Sequence, residues 1–137
     1  MGARNRSTSS TGLSLRIPWL AVGWLGVAVV TCLTLAPAPP EIDLEEGDKL
    51  QHLIAYGSLM LWFAQVRTGA TERRTTALLL LALGIVLELA QGLTGYREMS
   101  VLDALANASG VALGWLAAPP RSPNVFAWAS ALVGPAR

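Results

Sequence analysis

Cysteine, histidine and lysine each occur once in this chain, as Cys32, His52 and Lys49. A lone cysteine inside an apolar run excludes disulfides and cysteine-rich metal sites. Charge is scarce as well: 14% of the 137 residues are charged, against about 25% in ordinary soluble domains. The formal net charge is +1, so no overall polarity points to nucleic acid or to an acidic partner. The basic residues other than Lys49 are arginines, and they form no run resembling a nucleic-acid-binding stripe.

What the chain has instead is apolar length. Hydrophobic residues make up 53% of it, and at this size it holds at most one domain. Ile17–Ala36 runs for 20 residues and Leu50–Val66 for 17 without a charge, while Thr76–Leu93 and Val101–Ala118 run for 18 each with one carboxylate apiece, Glu88 and Asp103. At about 1.5 Å per residue, each crosses or nearly crosses a hydrocarbon core of about 30 Å. A soluble chain this small has no room to bury four such runs. Backbone polar groups in lipid must satisfy one another, so the spans should be helices. The expected fold is an all-α integral membrane protein, a compact bundle of four transmembrane helices spanning 17–36, 50–66, 76–93 and 101–118. Residues 1–16 and 119–137 form the tails.

The first run follows Arg4, Arg6 and Arg16, and Ala36-Pro37-Ala38 loosely resembles a signal-peptide cleavage site. Its apolar core exceeds the usual length of about 7–15 residues, so it reads as a retained span. The loop after it is Pro-rich and then acidic, with Glu41, Asp43, Glu45, Glu46 and Asp48. The C-terminal tail is Pro-rich, and its apolar patch Val125–Val133 is too short to span. That patch reads either as a surface-lying segment or as a disordered tail. Orientation follows from the basic residues. Arg4, Arg6, Arg16, Arg67, Arg73, Arg74, Arg121 and Arg137 fall on one side, Lys49 and Arg97 on the other. This bias places both termini in the cytoplasm.

Polar groups inside a membrane are costly, and each marks a candidate site. His52, Glu88, Gln91, Asp103 and Asn107, with Tyr56 as an amphipathic companion, all fall in the outer half of the expected bundle. Asp48, Lys49, His52 and Tyr56 share a helical arc of about 100°. Glu88 and Gln91 are an i,i+3 pair. Asp103, Asn107, Gly110 and Gly114 fall within about 60°. Three polar faces most economically point at one another. Gly110 and Gly114 have the small-xxx-small spacing that lets helix backbones approach closely.

Plainer roles compete. Ser100-Val101-Leu102-Asp103 has the form of a capping box, and Asp48-Lys49-Leu50-Gln51 a similar form. Both aspartates would then serve helix N-termini. His52 would be an ordinary boundary residue, Asn107 interhelical glue, and Gly110 and Gly114 packing. Glu88 resists such a role, because it lies near a helix C-terminus and below the interface, where an unpaired carboxylate is expensive. It needs a proton or a cation, and Lys49, His52 and Arg97 are the outer-side candidates.

Taken in order, Asp48-Lys49-x-x-His52-x-x-x-Tyr56, Glu88-x-x-Gln91, Arg97, and Ser100-x-x-Asp103-x-x-x-Asn107-x-x-Gly110-x-x-x-Gly114 is similar to the VanZ-like membrane protein family. The likeness covers Asp48 to Gly114 and the four-span layout. The acidic first loop and the C-terminal tail lie outside it. The resemblance implies a multi-pass protein of the bacterial cell membrane, whose founding member is linked to reduced susceptibility to the glycopeptide teicoplanin. It supplies no mechanism, so function must be argued from the site.

Three functions remain open. The first is binding of a lipid head group, a lipid-linked wall precursor or a lipoglycopeptide in an outer-facing pocket. Asp48, Lys49, His52, Tyr56, Glu88, Gln91, Arg97, Asp103 and Asn107 would line it. The second is an enzyme with His52 and Glu88 as an acid–base pair and Arg97 or Lys49 stabilising negative charge. The third is a structural protein whose polar network joins helices. One histidine with scattered carboxylates is a poor ligand set, so neither metal nor cofactor is expected. The partner is a membrane lipid or lipid-linked amphiphile; the oligomeric state cannot be read.

Overall fold

Long charge-free runs and the absence of any period-two pattern leave helix as the one regular structure open to this chain. The computed structural model describes residues 7–37, 47–96 and 98–133. Within them it has five helices and no strand: α1 (Ser7–Thr34), α2 (Gly47–Ala64), α3 (Ala70–Leu93), α4 (Val101–Ala117) and α5 (Val125–Val133). Two stretches, Leu15–Thr34 of α1 and the whole of α3, are long and apolar enough to cross a membrane; α4 is a shorter apolar helix.

The helix ends depart from the expected spans for identifiable reasons. The tail expected over 1–16 is helical from Ser7 onward. Helix α3 starts at Ala70 rather than Thr76, because its first turn is capped from within. Glu72 Oε2 accepts from Gly69 N at 3.4 Å, and Thr76 Oγ1 donates to Glu72 O at 2.8 Å. The end of α2 is closed by arginine: Arg73 donates to Arg67 O at 3.0 Å and to Ala64 O at 3.3 Å. These are carbonyls that a helix C-terminus leaves without partners. The patch 125–133 is a helix, not a disordered tail. Asn124 Oδ1 accepts from Ala127 N, and Gln65 Oε1 accepts from Val125 N, both at 2.8 Å. Of the acidic residues of the first loop, Glu41, Asp43, Glu45 and Glu46 lie outside the described residues, and Asp48 is in the first turn of α2.

Helices α2 and α4 run parallel and touch through their backbones. A Cβ on Gly57 would stand 3.2 Å from Gly110 O, and Cβ atoms on Gly110 and Gly114 would collide with the carbonyl oxygens of Leu53 and Gly57. Helix α1 leans on α2 through Gly23 and Gly26. There the Trp19 and Trp62 rings stack with centroids 4.2 Å apart. Each indole donates to the other residue's carbonyl, at 3.3 and 2.9 Å. Tyr56, Leu59, Met60, Leu80 and Val111 form the core. Outward, Leu78, Leu79, Ile85, Val86 and Leu89 of α3 and Leu102, Leu105, Leu113 and Leu116 of α4 are exposed. Exposed apolar area on this scale marks a surface that meets something other than water.

Candidate functional site

Three helix ends meet at the end of the bundle away from Arg67 and Arg73. His52 is in the second turn of α2, Glu88 in the penultimate turn of α3 and Asp103 in the first turn of α4. One ligand-capable atom from each lies within 4.8 Å of the others. All three side chains are buried, as are Tyr56 and Asn107 around them.

The imidazole is held from one side. His52 Nδ1 and Asn107 Oδ1 are 3.0 Å apart. An amide oxygen only accepts, so Nδ1 carries the proton and, in the neutral ring, Nε2 keeps its lone pair. That nitrogen faces Asp103 Oδ2 at 3.8 Å, beyond hydrogen-bond length. Asn107 is itself located by Gly84: a Cβ there would stand 3.1 Å from Asn107 Nδ2 and 3.3 Å from Tyr56 Cε1. The missing side chain of Gly84 is the space into which both polar residues fit.

Glu88 divides its two oxygens between two tasks. Oε1 accepts from Ser100 N at 2.5 Å. Ser100 is the N-cap of α4, and its hydroxyl accepts from Asp103 N at 3.3 Å. A capping box would have Asp103 accept from Ser100 N; here a carboxylate from α3 does so instead. Asp103 is thereby released into the cluster. Glu88 Oε2, Asp103 Oδ1 and Tyr56 Oη are buried and have no hydrogen-bond partner among the described residues. Beside Glu88, a groove of about 130 Å³ lies between α3 and α4, lined by Ile85, Leu89, Met99, Ser100, Val101 and Ala104.

Other residues expected at the site go elsewhere. Gln91 Nε2 donates to Thr34 O at 2.9 Å, tying α3 to the last turn of α1. Asp48 and Lys49 sit one turn before His52 and pair with each other at 3.5 Å. Burial pushes the Asp48 carboxyl up, but the Lys49 ammonium and hydrogen bonds outweigh this and leave it below its ordinary value. Gly110 and Gly114 lie against α2, below the cluster. Arg97 lies outside the described residues. Sequence reasoning missed Gly84, Gly57 and Tyr96, whose hydroxyl donates to Leu35 O at 2.8 Å. Glycines of α2 and α3 at the depth of Asn107 and Gly110 were the available signal. The chain matches no protein-family model, no curated protein and no solved structure.

Proposed function

We propose that the chain is a VanZ-like, four-span protein of the bacterial cell membrane, with both termini cytoplasmic, that binds the head group of a membrane amphiphile at its outer end. The observation that carries this reading is the joint placement of polar cluster and groove. Three buried oxygens with no partner among the described residues gather where α2, α3 and α4 meet, and Glu88 also forms a wall of the otherwise apolar groove between α3 and α4. An amphiphile has both parts: a polar head for the cluster and a chain for the groove. Buried polar groups at this depth are expensive unless a partner meets them. The exposed leucines of α3 and α4 support the membrane setting, and the arginine asymmetry supports the orientation.

A second reading has its own support. His52, oriented by Asn107 with Nε2 turned toward Asp103, has the arrangement of a positioned base. Lipid mass spectrometry on purified wild-type and Glu88→Ala protein separates the two. A head-group class retained by wild type and lost in the variant supports binding. A converted product, formed by wild type alone, supports catalysis. Identical lipid profiles with no product would defeat both.

A further inference from the structure

We propose that His52, Glu88 and Asp103 form a binding site for one divalent first-row transition-metal ion, with Zn²⁺ or Mn²⁺ as the fitting classes. The inference rests on reading this cluster as a ligand site and states what its chemistry is. It does not depend on which amphiphile, if any, enters the groove.

Charge gives the first argument. Two carboxylates are buried within 4.8 Å of one another and of a single imidazole. Burying such charges without compensation is costly. A protonated His52 would supply one positive charge; a dication supplies two. The second argument is donor geometry. With Nδ1–H committed to Asn107 Oδ1, the Nε2 lone pair is the free end of the ring, and a metal ligand needs that end. Metal-bound histidines commonly donate their other ring N–H to a carbonyl or carboxylate, which fixes tautomer and orientation. Asn107 already does this for His52.

The third argument is what the oxygens lack. Glu88 Oε2 and Asp103 Oδ1 are buried and have no partner among the described residues, and the same holds for the Tyr56 hydroxyl. Acceptors with nothing to accept from are what a cation supplies with a partner. The 3.8 Å between His52 Nε2 and Asp103 Oδ2 exceeds a hydrogen bond, yet it is within the span of two metal bonds of about 2.0–2.2 Å. One nitrogen with two carboxylates is a borderline-to-hard set, suited to Zn²⁺ or Mn²⁺ rather than to copper(I). Three protein ligands leave further positions open on the ion. The sequence argued against a metal because these residues lie far apart along the chain; the bundle assembles them.

The test uses the full, tag-free chain in detergent, stripped with a chelator, desalted and delipidated. Zn²⁺ and Mn²⁺ are titrated separately by calorimetry, and bound metal is counted by mass spectrometry after desalting. Co²⁺ reports its ligand field by visible absorption. One equivalent of at least one ion is expected, with a rise in thermal midpoint. Asp103→Asn and His52→Ala should abolish stoichiometric binding. Asn107→Ala, which touches the site only through His52, should weaken it by about 10–100-fold. Circular dichroism of each variant confirms that it is folded, and Glu88→Gln serves as a further variant that keeps an oxygen for Ser100 N. Failure of the folded wild-type chain to bind any of these ions in stoichiometric amount would overturn the proposal, as would binding indifferent to both Asp103→Asn and Glu88→Gln. Metal binding without a retained lipid would leave the site standing and defeat the amphiphile reading. A retained, Glu88-dependent lipid without metal would do the reverse.

Discussion

Replacing Gly110 with alanine should loosen the end of the bundle that carries His52, Glu88 and Asp103. An added methyl would collide with the Leu53 carbonyl oxygen and stand 3.0 Å from Gly57 N. Neither obstacle is the end of a flexible side chain, so α4 must retreat from α2. Overpacking of this kind costs about 1–3 kcal/mol. Alanine is also the better helix former by about 1 kcal/mol, which works in the opposite direction. The clash is backbone against backbone, which puts its cost in the upper part of that range, about 2–3 kcal/mol, and leaves a net loss of about 1–2 kcal/mol. For a chain of this size that lowers the unfolding midpoint by roughly 3–10 °C. Gly26→Ala is the control: its methyl meets only Leu59 Cδ2, at 3.1 Å, which can swing aside, so the propensity gain survives. Thermal unfolding in detergent, followed by circular dichroism, should rank Gly26→Ala at or above wild type and Gly110→Ala well below. A midpoint for Gly110→Ala equal to wild type would refute the close-packed seam, and with it the placement of Asn107 one turn away.

Reporters fused after Arg137 and within 67–75 should read cytoplasmic, and one within 37–48 external; an external reading after Arg137 would break the four-span arrangement. Asn107→Ala should destabilise by about 1–3 kcal/mol by leaving His52 Nδ1–H buried without an acceptor. A cycle with His52→Ala should show a coupling of at least about 0.5 kcal/mol, and strict additivity would deny the bond. Trp62→Phe removes a 2.9 Å bond to Trp19 O and alters a ring stack, so a loss of about 1–2 kcal/mol is expected in chemical denaturation; no loss would mean that α1 is held elsewhere. Glu88→Gln keeps an oxygen for Ser100 N, whereas Glu88→Ala does not, so Ala should be the less stable by about 1 kcal/mol; equal midpoints would mean that the cap contributes nothing.

The polar face of each helix was legible because helical phase is a local property. His52 and Tyr56, Asp103 and Asn107, and Gly110 and Gly114 could be grouped by angle alone. The choice of partner across helices was not legible. Gln91 shares the face of Glu88, yet α1 ends beside it and its amide goes to Thr34 O. The sequence could not show this, because it does not reveal how far α1 rises along α3. The start of α3 was misplaced because Glu72, Arg73 and Arg74 read as loop charges. Glu72 instead caps the helix and Arg73 closes its neighbour. Ser100 read as an N-cap on local pattern, and it is one. The acceptor for its own N–H came from another helix, which no local pattern carries.

That substitution at Ser100 links the fold to the chemistry. Asp103 could have closed its own capping box and stayed a structural residue. With Glu88 Oε1 accepting from Ser100 N, the carboxylate of Asp103 turns toward His52 instead. The cap brings the end of α3 against the start of α4, which places the Glu88 carboxylate in the same cluster. Glu88 therefore divides its carboxylate: Oε1 fixes the α3–α4 junction, and Oε2 is buried with no partner among the described residues. A carboxylate is the one common side chain group that offers two equivalent acceptors in a fixed plane. A carboxylate near a helix C-terminus, disfavoured there by the dipole, is so explained without any requirement that Glu88 be neutral or paired with a single residue.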